Sequence, residues 1–187
     1  MIEVRPSQHM QNLGVVQQGA DILHRPSVPF DLPAEHDAVR SAVDRLFAAV
    51  EHIGRVHSFA KGMGLAAPQI GIDRAAALVL PPAPDAAPIV LLNPRVTAAS
   101  AETDEQYEGC LSFFDVRGLV PRPLWIEVTT TGPDGTETAT VYERGLARII
   151  AHEIDHLDGL LYTDRMQPGT HSIPIEEYRG SGSSWNY

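Results

Sequence analysis

The sequence predicts an α+β fold in which short strands surround one central helix. Three observations carry that prediction. Val39, Val43, Leu46, Phe47, Val50 and Ile53 recur at three- and four-residue steps, which marks an amphipathic helix from Pro33 to about Ser58. Short apolar or alternating runs elsewhere have strand character. A second helix, Glu143 to Leu157, ends at the helix-stop residue Gly159 and carries the densest set of reactive side chains.

The elements follow in order. Residues 1–28 give little periodicity and are expected to be an extended arm or loop. After the Pro33–Ser58 helix, Gly62 to Gly71 reads as a loop. Ala75 to Leu80 and Ile89 to Leu92 read as buried strands joined through the rigid Pro81-Pro82-Ala83-Pro84 turn. Trp125 to Thr131 and Thr136 to Tyr142 form a predicted hairpin across Pro133-Asp134-Gly135. Residues 168–187 are expected to be a partly flexible tail, loosest in the Gly- and Ser-rich stretch from Arg179. No internal repeat or second domain is evident, so residues 1–187 read as a single catalytic domain.

Composition narrows the function classes. A net charge of −10 argues against sequence-independent binding to nucleic acid through a basic surface. The richest apolar region, Ala75 to Leu92, is broken by prolines and Asp85, so no membrane span is expected. The N-terminus lacks a basic segment followed by an apolar core, and the chain has a single cysteine. Both features point to a cytoplasmic protein.

The chemistry centres on His152-Glu153-Ile154-Asp155-His156. On a helix, His152 and His156 share one face and can grip one metal ion, with Glu153 beside them as a base for water. A catalytic site of this kind usually has a third protein ligand. The zinc-protease pattern that continues to a third histidine places Tyr162 there, and phenol is a poor ligand because it ionises near pH ~10. Glu176 and Glu177 are candidates by distance along the chain. Cys110 is the stronger candidate. It reads either as a small buried hydrophobe or as a thiolate completing a Cys/His/His site. Polar Glu108 and Ser112 on either side suit a core strand badly, and Gly109 allows close backbone approach.

Three segments resemble the signature motifs of the peptide deformylases. They are Gly62-Met63-Gly64-Leu65-Ala66-Ala67-Pro68-Gln69, Glu108-Gly109-Cys110-Leu111-Ser112 and the His152–His156 stretch, in matching order and spacing. The resemblance spans about Val15 to Met166. It implies small mixed or antiparallel sheets around the motif-bearing helix, and hydrolysis of the N-formyl group of new polypeptides with release of formate. It assigns Cys110, His152 and His156 to one divalent ion, Fe²⁺ by expectation, although Zn²⁺, Ni²⁺ or Co²⁺ would fit the same donors. Glu153 becomes the general base. The side-chain amide of Gln69 and the backbone N–H of Leu111 become donors to the developing oxyanion.

Substrate contacts are expected from Gly64 and Gly109, where the backbone can lie against a peptide. Arg117 is expected to touch the peptide backbone. Met63, Arg148 (through its alkyl stem) and Ile149 are expected to line an apolar pocket for the methionine side chain. Glu108 is expected to orient a ligand or Gln69, and Asp155 to pair with Arg122. The resemblance further implies nascent formylated peptides as partners, transient ribosome contact and a monomer.

Two departures stand out. Phe113-Phe114-Asp115 replace the hydrophobic-Pro step common after the cysteine motif, and Ala151 stands where many relatives have Gln. The alternatives from the sequence are a deformylase for a small N-formyl or N-acyl substrate, a zinc endopeptidase and a non-catalytic metal-binding module.

Overall fold

The computed structural model describes residues 5–57, 59, 61–83 and 85–180. A short helix, α1 (Pro6–Asn12), opens the described chain and a 3-10 turn follows at Asp21–His24. The N-terminal segment is therefore not the wholly extended arm expected over residues 1–28. Pro6 is pre-set for a first helical turn. Only Met10 of α1 reaches the core, so no apolar stripe betrays the helix in the sequence.

Helix α2 (His36–Val56) matches the predicted amphipathic helix and buries Val39, Ala42, Leu46, Val50 and Ile53. That stripe covers β1 (Met63–Ala66) and β2 (Ala76–Leu80), packing on Leu65 and Leu78. Truncating a fully buried residue such as Leu46 to Ala would cost about 2–5 kcal/mol. β3 (Ile89–Leu92) completes an antiparallel sheet of order β1-β2-β3. The expected loop from Gly62 to Gly71 is instead strand β1 followed by a 3-10 turn, Ala67–Ile70. Pairing of Gly64 with Val79 makes β1 an edge strand despite its glycine.

The next strands were not foreseen either: β4 (Arg95–Ala99), β5 (Thr103–Glu108) and β6 (Val116–Pro123). A 3-10 turn, Leu111–Phe113, links β5 to β6. β7 (Trp125–Thr131) and β8 (Glu137–Glu143) are the predicted hairpin, and β4 pairs with the outer side of β7. Helix α3 (Arg144–Leu157) then packs against strands of all three sheets, β1, β2, β6, β7 and β8 among them. Its Ile150, Ile154 and Leu157 meet Ile126 and Val128 of β7. Its other face carries the histidines.

Gly159 ends α3 at φ +77°, and Leu160 N–H donates back to Asp155 O at 2.8 Å, a left-handed cap that suits glycine. A 3-10 turn at Tyr162–Arg165 leads to β9 (Ile173–Pro174), which pairs with β6, and to α4 (Ile175–Gly180). Part of the expected loose tail is thus helical, and the remainder, residues 181–187, lies outside the described residues. Among the described residues no helix is long and apolar enough to cross a membrane.

Candidate active site

Helix periodicity puts His152, Glu153 and His156 on the side of α3 that faces the turn after β5. Cys110 sits at that turn. The donor atoms of Cys110, His152 and His156 all lie within 4.8 Å of one another, and Cys110 Sγ is 3.2 Å from His156 Nε2. No other group of three or more such donors is formed among the described residues. Glu176 and Glu177 are exposed on α4, outside the cluster. Tyr162 stacks on Phe113 with ring centroids 4.7 Å apart and leans towards His152. It packs the cluster and does not join it.

Glu108, at the end of β5, holds the arrangement in place. It is buried, and its Oε2 is 3.0 Å from His152 Nδ1, which directs the other ring nitrogen towards the donor cluster. Arg122 donates to both Glu108 oxygens at 2.9 and 3.0 Å, and Arg148 Nη1 donates to Oε1 at 2.8 Å. Arg122 also reaches Asp155 Oδ2 at 2.6 Å, as the sequence suggested, and Arg165 closes on Asp155 Oδ1 at 2.7 Å. Burial alone would raise the Glu108 pKa. The His152 hydrogen bond and Arg122 outweigh it and hold the carboxyl well below the usual range.

Glu153 lies in a different environment. It is buried, and its Oε2 has no hydrogen-bond partner among the described residues. Burial pushes its pKa up to about 7, within the range suited to a group that takes and returns a proton at neutral pH. A Cβ on Gly64 would lie 2.2 Å from Glu153 Oε1, so β1 passes the carboxylate more closely than any other residue would permit.

Gln69 is fixed by two contacts. Its Oε1 accepts from Ala66 N–H at 2.9 Å, and its Nε2 donates to Ser112 Oγ at 3.2 Å. Nε2 also lies 3.5 Å from Cys110 Sγ, so the amide's donor end faces the cluster. Leu111 opens the 3-10 turn after Cys110, and a first-turn N–H has no partner inside its own turn. Glu108 thus orients His152 and leaves Gln69 to Ala66 and Ser112.

A cavity of about 470 Å³ opens over these groups. Met63, Gly64, Gly109, Arg117, Arg148 and Ile149 all line it. Arg148 does more than lend its stem: its guanidinium is locked to Glu108, Asp104 and the Val120 carbonyl. Sequence reasoning missed Asp104, Ser112 and Arg165, and it set His57 aside as a core-edge or solvated histidine. His57 lines the cavity with Phe59, Phe114, Tyr178 and Arg179; of these only Phe114 had drawn notice in the sequence, within the departure after the cysteine motif. His57, Phe59 and Phe114 meet edge to face, with centroids 4.6 to 6.3 Å apart.

The model of the polypeptide deformylase family matches residues 12–172. The chain belongs to the peptide deformylase family. It is 37% identical to peptide deformylase 2 of Nostoc over 152 residues, covering 77% of this chain and 81% of that one. It is 34% identical to peptide deformylase 2 of Bordetella bronchiseptica over 163 residues, covering 82% and 86%. A crystal structure of the class I type b peptide deformylase from Acinetobacter baumannii with Met-Ala-Ser bound superposes with a TM-score of 0.70 at 31% identity, covering 81% of this chain and 96% of that one. The peptide deformylase of Thermotoga maritima gives 0.69 at 28% identity, covering 82% and 97%. The family assignment makes the chain a metal-dependent hydrolase that removes the N-formyl group from nascent peptides.

The donor set fits the catalytic metal that deformylases require. One thiol and two imidazoles converge, His156 Nδ1 and Glu153 Oε2 are buried without hydrogen-bond partners among the described residues, and a carboxylate backs His152.

Proposed function

We propose that Cys110, His152 and His156 hold one Fe²⁺ ion, and that Glu153, Gln69 and Leu111 perform deformylation around it. The convergence of the three donors beside a buried Glu153 with an unpartnered oxygen carries this reading. The ion, when bound, supplies Lewis acidity and a nucleophilic water at neutral pH.

The chain's own groups do the rest. Glu153 takes the proton of the attacking water and passes it to the leaving amine, so the formyl C–N bond breaks and formate departs. Gln69 Nε2 and the Leu111 N–H donate to the carbonyl oxygen as it gains charge. Met63, Ile149 and the stem of Arg148 pack the methionine side chain. Gly64, Gly109 and Arg117 meet the peptide backbone. Glu108 fixes the His152 ring, and Arg122, Arg148 and Asp155 fix Glu108 and the helix. The protein works as a cytoplasmic monomer of one catalytic domain, on nascent chains met in transient contact with the ribosome.

The test is formate release from formyl-Met-Ala-Ser, with bound metal measured in the same preparations. Wild type is expected to release formate, and Cys110→Ala to lose both metal and activity. A Cys110→Ala protein that keeps both would overturn the ligand set and favour an endopeptidase-like site.

A further inference from the structure

The walls of the cavity differ in charge from its floor. The acidic side chains that line it, Glu108 and Glu153, both lie at the bottom, and Glu108 is neutralised there by Arg122, Arg148 and His152. The mouth is lined by His57, Lys61, Arg117 and Arg179. These come from the end of α2, the approach to β1, β6 and α4, so the fold gathers basic side chains from four separate segments, with Lys61, Arg117 and Arg179 the charged ones.

The cations are close enough to feel one another. Burial first, then Arg179 and Arg117, push the His57 imidazole below its ordinary pKa. Burial also weakens the hold of Arg117 on its proton; Tyr162 and Tyr178 act against that effect and Arg179 adds to it. Arg117 lies over the Phe114 ring at 4.6 Å and spends its Nη1 donor on the carbonyls of Phe114 and Val116. Among the described residues neither Arg117 nor Arg179 forms an ion pair with a carboxylate. An anion arriving from outside would be stabilised beside Arg117 and Arg179, which among the described residues share no carboxylate.

We infer that this mouth selects formyl peptides that carry a carboxylate downstream of the formyl-methionine. The inference rests on the deformylase reading of the same cavity. The carboxylate can belong to an Asp or Glu side chain or to the C-terminus of a short peptide. Phe59 and Phe114 supply an apolar wall against which the peptide is held while its anion meets Arg117 and Arg179. The protein as a whole carries −10 charges, so its long-range field attracts basic peptides and repels acidic ones. A preference for acidic peptides would therefore be the signature of the local mouth.

The test compares kcat/KM for formyl-Met-Glu-Glu-amide, formyl-Met-Gln-Gln-amide and formyl-Met-Lys-Lys-amide on the metal-loaded protein, with formyl-Met-Gln-Gln bearing a free carboxylate as the fourth arm. The Glu peptide is expected to exceed the Lys peptide by about tenfold at low salt, chiefly through KM, as a few partly exposed charge contacts would give. Raising the salt to about 0.5 M should shrink that ratio, because these contacts are open to screening. Arg179→Gln should shrink it as well.

The free-acid peptide separates the two sources. A gain over its amide assigns the mouth to a terminal carboxylate, whereas a gain confined to the Glu peptide assigns it to side chains. Equal kcat/KM for the Glu and Lys peptides, with the neutral peptide still cleaved, would overturn the inference and leave the deformylase reading intact. Failure to cleave the neutral peptide would overturn both.

Discussion

The floor and the mouth of this cavity handle charge in opposite ways. On and beneath the floor the charges other than Glu153 have fixed partners: Glu108 meets two arginines and a histidine, and Asp155, behind the cavity lining, meets Arg122 and Arg165. These groups are buried, apart from the half-exposed Arg165, and they come from β5, β6, the segment after α3 and α3 itself. At the mouth the basic side chains are half-buried or exposed and spread over four segments. A preorganised floor suits chemistry, which tolerates little displacement of the reacting groups. A solvated mouth suits selection among peptides, where each contact is worth little and can vary.

Several changes would break or sharpen that contrast. A large effect on kcat should come from Gly64→Ala. The new methyl group would meet Glu153 Oε1 at 2.2 Å, so the carboxylate must move, and kcat should fall by about 100-fold with metal retained. Unchanged kcat would show that the floor is less exacting than its packing suggests.

Next comes Glu108→Gln. It leaves the buried Arg122 and Arg148 without their shared carboxylate, which should lower stability by about 3–5 kcal/mol in denaturant unfolding. Metal affinity should drop by about 10–100-fold, because His152 loses its orienting partner.

Phe114→Ala acts at the mouth. KM for formyl peptides should rise about threefold to tenfold with kcat nearly constant, as expected when an aromatic contact with substrate is removed. An effect on kcat alone would place Phe114 with the floor.

The smallest change should come from the Glu35–Arg74 pair, which lies outside both regions and is partly exposed. Its hydrogen bond from Arg74 lowers the Glu35 pKa, so its contribution to stability is present above the unfolded value of about 4.3 and is lost as the pH falls through the folded value. Thermal unfolding of Glu35→Gln should therefore differ slightly from wild type at neutral pH and converge with it in acid.

The same contrast governs what the sequence reveals. His152 and His156 announce themselves because a helix turns a four-residue spacing into a shared face, and α2 does so through its apolar stripe. The β7–β8 hairpin is marked by its Pro-Asp-Gly turn. Strands β4, β5 and β6 are hidden for definite reasons. β4 is exposed along its whole length, and β5 reads Thr-Asp-Glu-Gln-Tyr-Glu with no apolar alternation.

β6 does alternate, but its inward positions hold Gly118, Val120 and Arg122, so an arginine stands where a hydrophobe would have signalled a strand. That arginine is inward because Glu108 and Asp155 are there to receive it, a pairing between distant segments that no local pattern encodes. The mouth is harder still. His57, Phe59, Phe114 and Arg179 are single residues without spacing or motif, and only tertiary packing makes them neighbours. Phe114 alone carried a hint, as a departure from the residues usual after the cysteine motif.

The most direct test of the account is formate release from formyl-Met-Ala-Ser by protein prepared without oxygen and loaded with Fe²⁺, beside Glu153→Ala at equal metal content. Rapid release by the wild type and a loss of about 10²–10⁴-fold in the metal-bound variant is the predicted result. Comparable release by the two proteins would contradict the role given to Glu153, and with it the assignment of the chemistry to the floor of the cavity.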